Sequence, residues 1–183
     1  MGVYNLDKIF RPESIAVIGA SEKECSIGSV LVENLIKGGY QGKVYPVNPR
    51  YRSIHALKAY PSILDAKGAV DLAIIATPIV TVPGVVKECA GAGVAGVIII
   101  SAGGKETGAK GREIEDRIET EARKGGLRVI GPNCLGIICP KRNLNASFAA
   151  RMPLKGKLAF ISQSGAICAA ILDLSPKENI GFS

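Results

Sequence analysis

The sequence predicts an α/β chain built on a parallel, doubly wound sheet, and three observations carry that reading. Short runs of Val, Ile, Leu and Ala alternate along the chain with segments of helical periodicity. The first run closes on a glycine turn followed by a helix, the order found where ligands sit at the carboxyl ends of strands. Apolar residues make up 47% of the 183 and aromatic residues only 5%, the filling expected between a buried sheet and helices on both faces.

Taken in order, Ser14 to Ile18 reads as a buried strand ending at Gly19, and Val30 to Lys37 as a helix stopped by Gly38-Gly39. Lys43 to Val47 is a short strand, and its Pro46 argues for an edge position. Asp71 to Ala76 is a buried strand. Thr81 to Ala92 is a helix with Pro83 in its first turn, where a missing N–H does no harm. Gly96 to Ser101 is the most strand-like run, and Lys110 to Lys124 an amphipathic helix with Ile114, Ile118 and Ala122 on one face. Arg128 to Ile130 is a strand ending at Gly131-Pro132. Lys157 to Ser162 then opens a new strand, and Gly165 to Leu174 a new helix. Right-handed crossovers place all the carboxyl ends of such strands on one edge.

A Rossmann-like sheet accounts for residues 1–152. The last strand and helix, in 153–183, have no neighbours to cover their apolar faces, so they read as the truncated start of a second α/β domain in a longer protein. The alternative is that this pair adds to the first sheet.

Composition excludes several classes. The net charge of +7 suits polyanionic ligands, but no dense basic run with interleaved aromatics favours nucleic acid. Five cysteines without C-x-x-C spacing and a single histidine, His55, supply no metal site and read as free thiols of a reducing compartment. The amino terminus has no signal-peptide pattern, and no apolar run is long enough to span a bilayer. A soluble cytoplasmic protein is expected.

Four segments carry candidate chemistry. Gly19-Ala20-Ser21, with Gly28 near the start of the next helix, presents N–H groups and the positive end of a helix dipole to an anion, although it is not G-x-G-x-x-G. After the second strand, Val47-Asn48-Pro49-Arg50-Tyr51-Arg52 has two guanidinium groups and lacks the carboxylate that holds the ribose of NAD. NADP or coenzyme A therefore fits better. Gly131-Pro132-Asn133-Cys134-Leu135-Gly136 lies at a strand end, and Cys134 reads as a buried thiol. Ser162-Gln163-Ser164-Gly165-Ala166 resembles a nucleophile elbow but fails at both glycine positions, and no base accompanies it. A phosphoryl group held at a helix amino terminus suits it better. His55, in SIHALKAYPSI, reads as structural or exposed.

In this order, VIGASEK, YPVNPRYR, KAYPSI, IIATP, IIISAGGKE, VIGPNCLGI and FISQSGA resemble the NDP-forming acyl-CoA synthetases, among them ADP-forming acetyl-CoA synthetase and, more distantly, the alpha subunit of succinyl-CoA synthetase. The resemblance implies a CoA-binding domain followed by the start of a flavodoxin-like ligase domain. It carries CoA phosphates to Gly19, Ala20 and Ser21, and the pyrophosphate side to Asn48, Arg50 and Tyr51. Succinyl-CoA synthetases have a lysine near Tyr51, for which a neighbouring arginine can substitute. Thr77, Pro78, Ser101 and Ala102 are implied to line the same cleft, with Asn133 near the thiol end. Ser164, Gly165 and Ala166 are implied to face a phosphohistidine. The family reaction, acyl-CoA + ADP + phosphate ⇌ acid + CoA + ATP, passes through an acyl phosphate and that histidine, expected beyond residue 183. No catalytic residue is therefore expected here, and the fragment alone should be inactive. ADP, ATP and Mg belong to an ATP-grasp part, a separate beta subunit or a fused domain, in an oligomeric enzyme. A stand-alone CoA-binding module is the other reading.

Overall fold

The computed structural model describes residues 4–183. A short helix α1 (Leu6–Phe10) leads into β1 (Ser14–Ile18), α2 (Ile27–Lys37) and β2 (Lys43–Val47). A tight hairpin, β3 (Ser53–Ile54) and β4 (Leu57–Lys58), precedes β5 (Leu72–Ile75), α3 (Val82–Gly91), β6 (Gly96–Ile99), α4 (Ala109–Lys124) and β7 (Arg128–Ile130). A second hairpin pairs β8 (Gly136–Cys139) with β9 (Leu144–Ser147), and β10 (Leu154–Leu158), α5 (Gly165–Leu174) and β11 (Gly181–Phe182) follow.

The central sheet is parallel and five-stranded, in the order β2-β1-β5-β6-β7. The chain runs outward from β1 to β2 and then returns on the other side of β1 to lay down β5. The winding therefore reverses between β1 and β5, and such a reversal opens a crevice at the strands' carboxyl ends. β2 is an edge strand, where the missing N–H of Pro46 interrupts no inner ladder.

Alternation along each strand builds two cores. Ala16, Ile18, Ala73, Ile75, Val97 and Ile99 face α3 and α4, packing on Val82, Val86, Cys89, Ile118 and Ala122. Ile15, Val17, Leu72, Ile74 and Ile98 face the other way, onto Ile9 of α1, Leu31, Val32 and Leu35 of α2, and Leu144 and Ala146 of β9. Each fully buried Leu or Ile contributes about 1.5–3 kcal/mol relative to exposure. Below the sheet, Asp71 accepts from the Glu13 N–H (2.7 Å) and pairs with Lys8 (3.0 Å), tying α1 and β1 to β5.

Two sequence expectations are corrected. α2 starts at Ile27 rather than Val30, because Ser26 caps it by accepting from the Ser29 N–H (3.3 Å) and Gly28 packs in its first turn. The late strand spans Leu154–Leu158 rather than 157–162. Its register is set by parallel pairing with β11, whereas residues 159–162 have no ladder and Ile161 is 94% exposed. β10 and β11 form a sheet of their own, so this pair does not extend the first sheet.

Candidate functional site

The corner after β1 owes its shape to two glycines. Gly19 adopts φ +89°, and a Cβ there would come within 2.6 Å of the Ala76 carbonyl oxygen and 3.0 Å of Thr77 Cγ2. Gly28 brings the start of α2 against the Gly19 carbonyl and Ala20, an approach no side chain allows. The Gly19 N–H donates to Val47 O (3.0 Å), which joins the corner to β2. Among the described residues, the N–H groups of Ala20 and Ser21 meet no acceptor. They lie beside the first turn of α2, whose N–H groups a helix leaves without internal partners. Glycine, Ala20 and Ser21 thus make a narrow donor-rich pocket edge suited to an anion.

The loop after β2 is strapped onto that corner. Asn48 Nδ2 donates to Ala20 O (2.7 Å) while its Oδ1 accepts from the Arg50 N–H (2.9 Å). Its amide is thereby engaged with the backbone on both sides, and it shapes both turns. Tyr51 OH and Ser21 Oγ lie 3.4 Å apart. The β3–β4 hairpin completes the strap: His55 Nε2 hydrogen-bonds Ser29 Oγ (2.9 Å), and the His55 backbone N–H donates to Glu22 Oε1 (2.6 Å). Of the two sequence readings, structural or exposed, these contacts favour the structural one for His55.

At the ends of β5 and β6, Ile27, Ala76, Thr77, Pro78, Ile79, Ile100, Ser101 and Ala102 line one depression. Ser101 Oγ donates to Thr77 O (2.6 Å), locking the two strand ends together. Asn133 follows β7 with φ 54°, and its N–H donates to Ser101 O (2.9 Å). Cys134 Sγ donates to Ile99 O (3.3 Å), and burial pushes its thiol above the usual range, so it is a poor nucleophile at neutral pH. The structure thus gathers Gly19, Ala20, Ser21, Asn48, Arg50, Tyr51, Thr77, Pro78, Ser101, Ala102 and Asn133 along one sheet edge.

Ser164, Gly165 and Ala166 form a separate corner. Ser162 Oγ accepts from the Ser164 N–H (3.1 Å), and Ser164 Oγ caps α5 by accepting from the Ile167 N–H (3.3 Å). A Cβ on Gly165 would meet nothing within 4 Å, and no residue of α5 is buried. Among the described residues no group of His, Cys, Asp and Glu could hold a metal, and no helix is long and apolar enough to cross a membrane.

Sequence reasoning missed three features of this edge. Two are the double engagement of Asn48 and the His55–Ser29 contact, both of which join residues distant in sequence. The third is Lys58, which lines a second depression with Pro49, Arg50, Tyr51, Arg52, Ala59 and Pro61. Only its place two residues before Tyr60, whose N–H donates to Pro46 O (2.9 Å), hints that it returns to β2.

Comparison with known proteins agrees with this architecture. The CoA binding domain family matches residues 13–140. An acetate–CoA ligase [ADP-forming] of Methanocaldococcus jannaschii is 47% identical over 180 residues, covering 98% of this chain and 25% of the relative. The alpha subunit of acetate–CoA ligase [ADP-forming] II of Pyrococcus furiosus is 48% identical over 179 residues, covering 97% of this chain and 38% of that subunit. The solved dinucleotide forming acetyl-coenzyme A synthetase 1 of Ca. Korarchaeum cryptofilum, in complex with phosphate and ADP, superposes with a TM-score of 0.93 at 41% identity. That match covers 96% of this chain and 38% of that one. The chain therefore spans well under half the length of these relatives.

Proposed function

The chain belongs to the CoA binding domain family, and from that premise we propose that it is the coenzyme A-holding part of an ADP-forming acyl-CoA ligase. The observation that carries the reading is the order of chemistry along the sheet edge. A basic loop at β2 comes first, then a donor-rich corner at β1, then a largely apolar depression at β5 and β6. Coenzyme A has the same order: a phosphorylated nucleotide, a diphosphate, and an uncharged pantetheine arm ending in a thiol.

The diphosphate rests on the Ala20 and Ser21 N–H groups and the first turn of α2, where the dipole and unpaired donors favour negative charge. Arg50 supplies a cation beside it, and Asn48 and Tyr51 hold the loop that presents this arginine. The arm runs past Thr77, Pro78, Ser101 and Ala102 towards Asn133, where the thiol awaits an acyl group. In the whole ligase the reaction is acyl-CoA + ADP + phosphate ⇌ acid + CoA + ATP. This chain's one histidine is tied to Ser29, so it does not carry the phosphoryl group.

Residues 1–152 form the CoA domain, and residues 153–183 belong to a second α/β domain whose further elements cover α5. In it the Ser164–Ala166 corner faces the phosphorylated histidine of the complete protein. ADP, ATP and Mg bind in an ATP-grasp part, as a partner subunit or a fused domain. The relative named as an alpha subunit and the complex with phosphate and ADP support this division.

The test is calorimetric titration of the 183-residue chain with CoA and NAD. CoA should bind, NAD should not, and Arg50→Ala should weaken CoA by about tenfold, the scale of one charged hydrogen bond to phosphate. Preference for NAD overturns the reading.

A further inference from the structure

The turn that carries Ala102 to the depression at the ends of β5 and β6 is not held by the sheet. β6 ends at Ile99, and beyond it the Ile100 N–H donates to Ile75 O (2.9 Å) and Ser101 O accepts from the Asn133 N–H (2.9 Å). Gly103 then takes φ +112° and lies against Ile79, where a Cβ would come within 2.8 Å of Ile79 Cγ2. Ile79 and Ala102 both line the depression, so the seating of this turn sets part of its wall. Two consecutive glycines, Gly103 and Gly104, give such a turn wide conformational freedom, and other groups must remove it.

Two carboxylates do so. Glu106 Oε1 accepts from the Gly103 N–H (2.8 Å), and the backbone donors around it, Gly103 first, hold its carboxyl below the usual carboxylate range. Glu115 reaches over from the second turn of α4. Its Oε1 accepts from the Lys105 N–H (2.7 Å), and its carboxylate lies where a Cβ on Gly104 would project. Thr107 Oγ1 donates to Gly104 O (2.8 Å), and Gly111 of α4 packs against that same carbonyl, where no Cβ fits. The carboxylates further along α4 are used differently: Glu119 pairs with Arg123 and Glu121 with Lys124. Lys105 is exposed, so water would satisfy its N–H nearly as well and the bond adds little to the stability of the fold. What the bond supplies is a fixed turn.

We infer that Glu115 is a positioning residue for the arm of coenzyme A: through the Lys105 N–H it presets the turn at 102–104 against Ile79, ready to receive the arm. The inference rests on the coenzyme A reading given above. A turn ordered in advance spares the ligand the entropy of ordering it, which appears as affinity. The effect belongs to the arm alone. The nucleotide end of the coenzyme meets other loops, so a fragment without the arm does not sense Glu115.

The experiment titrates the 183-residue chain with CoA and with adenosine 3′,5′-bisphosphate, which keeps the nucleotide end and lacks the arm. The proteins are wild type, Glu115→Ala, Glu115→Gln and Gly104→Ala. Glu115→Ala leaves α4 a good helix former and should weaken CoA by about tenfold, the scale of freeing one backbone residue, with the bisphosphate within about twofold. Glu115→Gln keeps an acceptor oxygen for the Lys105 N–H and should restore CoA to within about threefold of wild type. Gly104→Ala places its methyl where the Glu115 carboxylate lies, displaces that flexible side chain, and should match Glu115→Ala. Unchanged bisphosphate affinity shows that each variant is folded. Equal loss for both ligands, no loss for either, or a Gln variant as weak as the Ala variant overturns the role of Glu115 while leaving CoA binding standing. If the wild type does not bind CoA, the coenzyme A reading fails and this one with it.

Discussion

The two strand–turn–helix corners of this chain use similar local grammar and end in different physical states. Each opens its helix with a serine cap: Ser26 accepts from the Ser29 N–H, and Ser164 from the Ile167 N–H. At the first corner, Gly28 is buried against the Gly19 carbonyl, α2 sends Leu31, Val32 and Leu35 into the core, and Asn48 ties the turn to the next strand. At the second, Gly165 faces open space and no residue of α5 is fully buried, leaving Ile167 at 53% and Leu174 at 46% exposure. A cap and a glycine mark where a helix can begin. Burial on neighbouring elements decides whether the corner is rigid, and only the first has those neighbours here.

The largest contrast is expected from the same substitution at both glycines. Gly28→Val drives a side chain into the backbone of Gly19 and Ala20. It should cost about 3 kcal/mol of stability by urea unfolding, together with CoA binding. Gly165→Val meets no atom in this chain and should change its stability by less than about 1 kcal/mol, the helix-propensity scale, with CoA affinity unaltered. If the second corner has the role proposed for it, that same Gly165→Val in the full-length protein should abolish phosphoenzyme formed from labelled ATP. Normal phosphoenzyme there would reduce the second corner to a structural turn.

A smaller effect is set by the buried thiol of α3. Burial pushes Cys89 up to about 12, whereas an unfolded cysteine titrates near 8.5. Its folded value is the raised one, so above about pH 9 the unfolded chain releases a proton that the folded chain keeps, and stability declines as pH climbs towards 12. Cys89→Ala should flatten that decline in urea midpoints compared at pH 8 and pH 10. An equal decline in the variant would place its origin elsewhere.

Most of the sheet was legible because its signal is local. β1, β2, β5, β6 and β7 are short runs made mostly of apolar residues, and α4 carries its apolar residues at helical spacing. The small elements were not. The β3–β4 hairpin turns on His55 and Ala56, both at positive φ without the usual asparagine or glycine, and its strands are two residues each. The β8–β9 hairpin escaped because its stability comes from Leu144 and Ala146 packing on the sheet, a long-range fact. KLAFIS misled because apolar content alone does not fix where pairing starts; β11 does. At the site, residue types pointed to the carboxyl edge of the sheet, and the structure places Gly19, Arg50 and Ser101 along it. The clasp formed by Asn48 and the placement of Lys58 arise only once β2 and the hairpin fold back on β1.

Amide hydrogen exchange of the 183-residue chain with and without CoA tests the central claim most directly, since it reads both corners in one experiment. The account predicts slowed exchange at 19–29, 48–60 and 77–82, with 162–168 unchanged. Protection confined to 162–168, with the first corner exchanging as before, would contradict it.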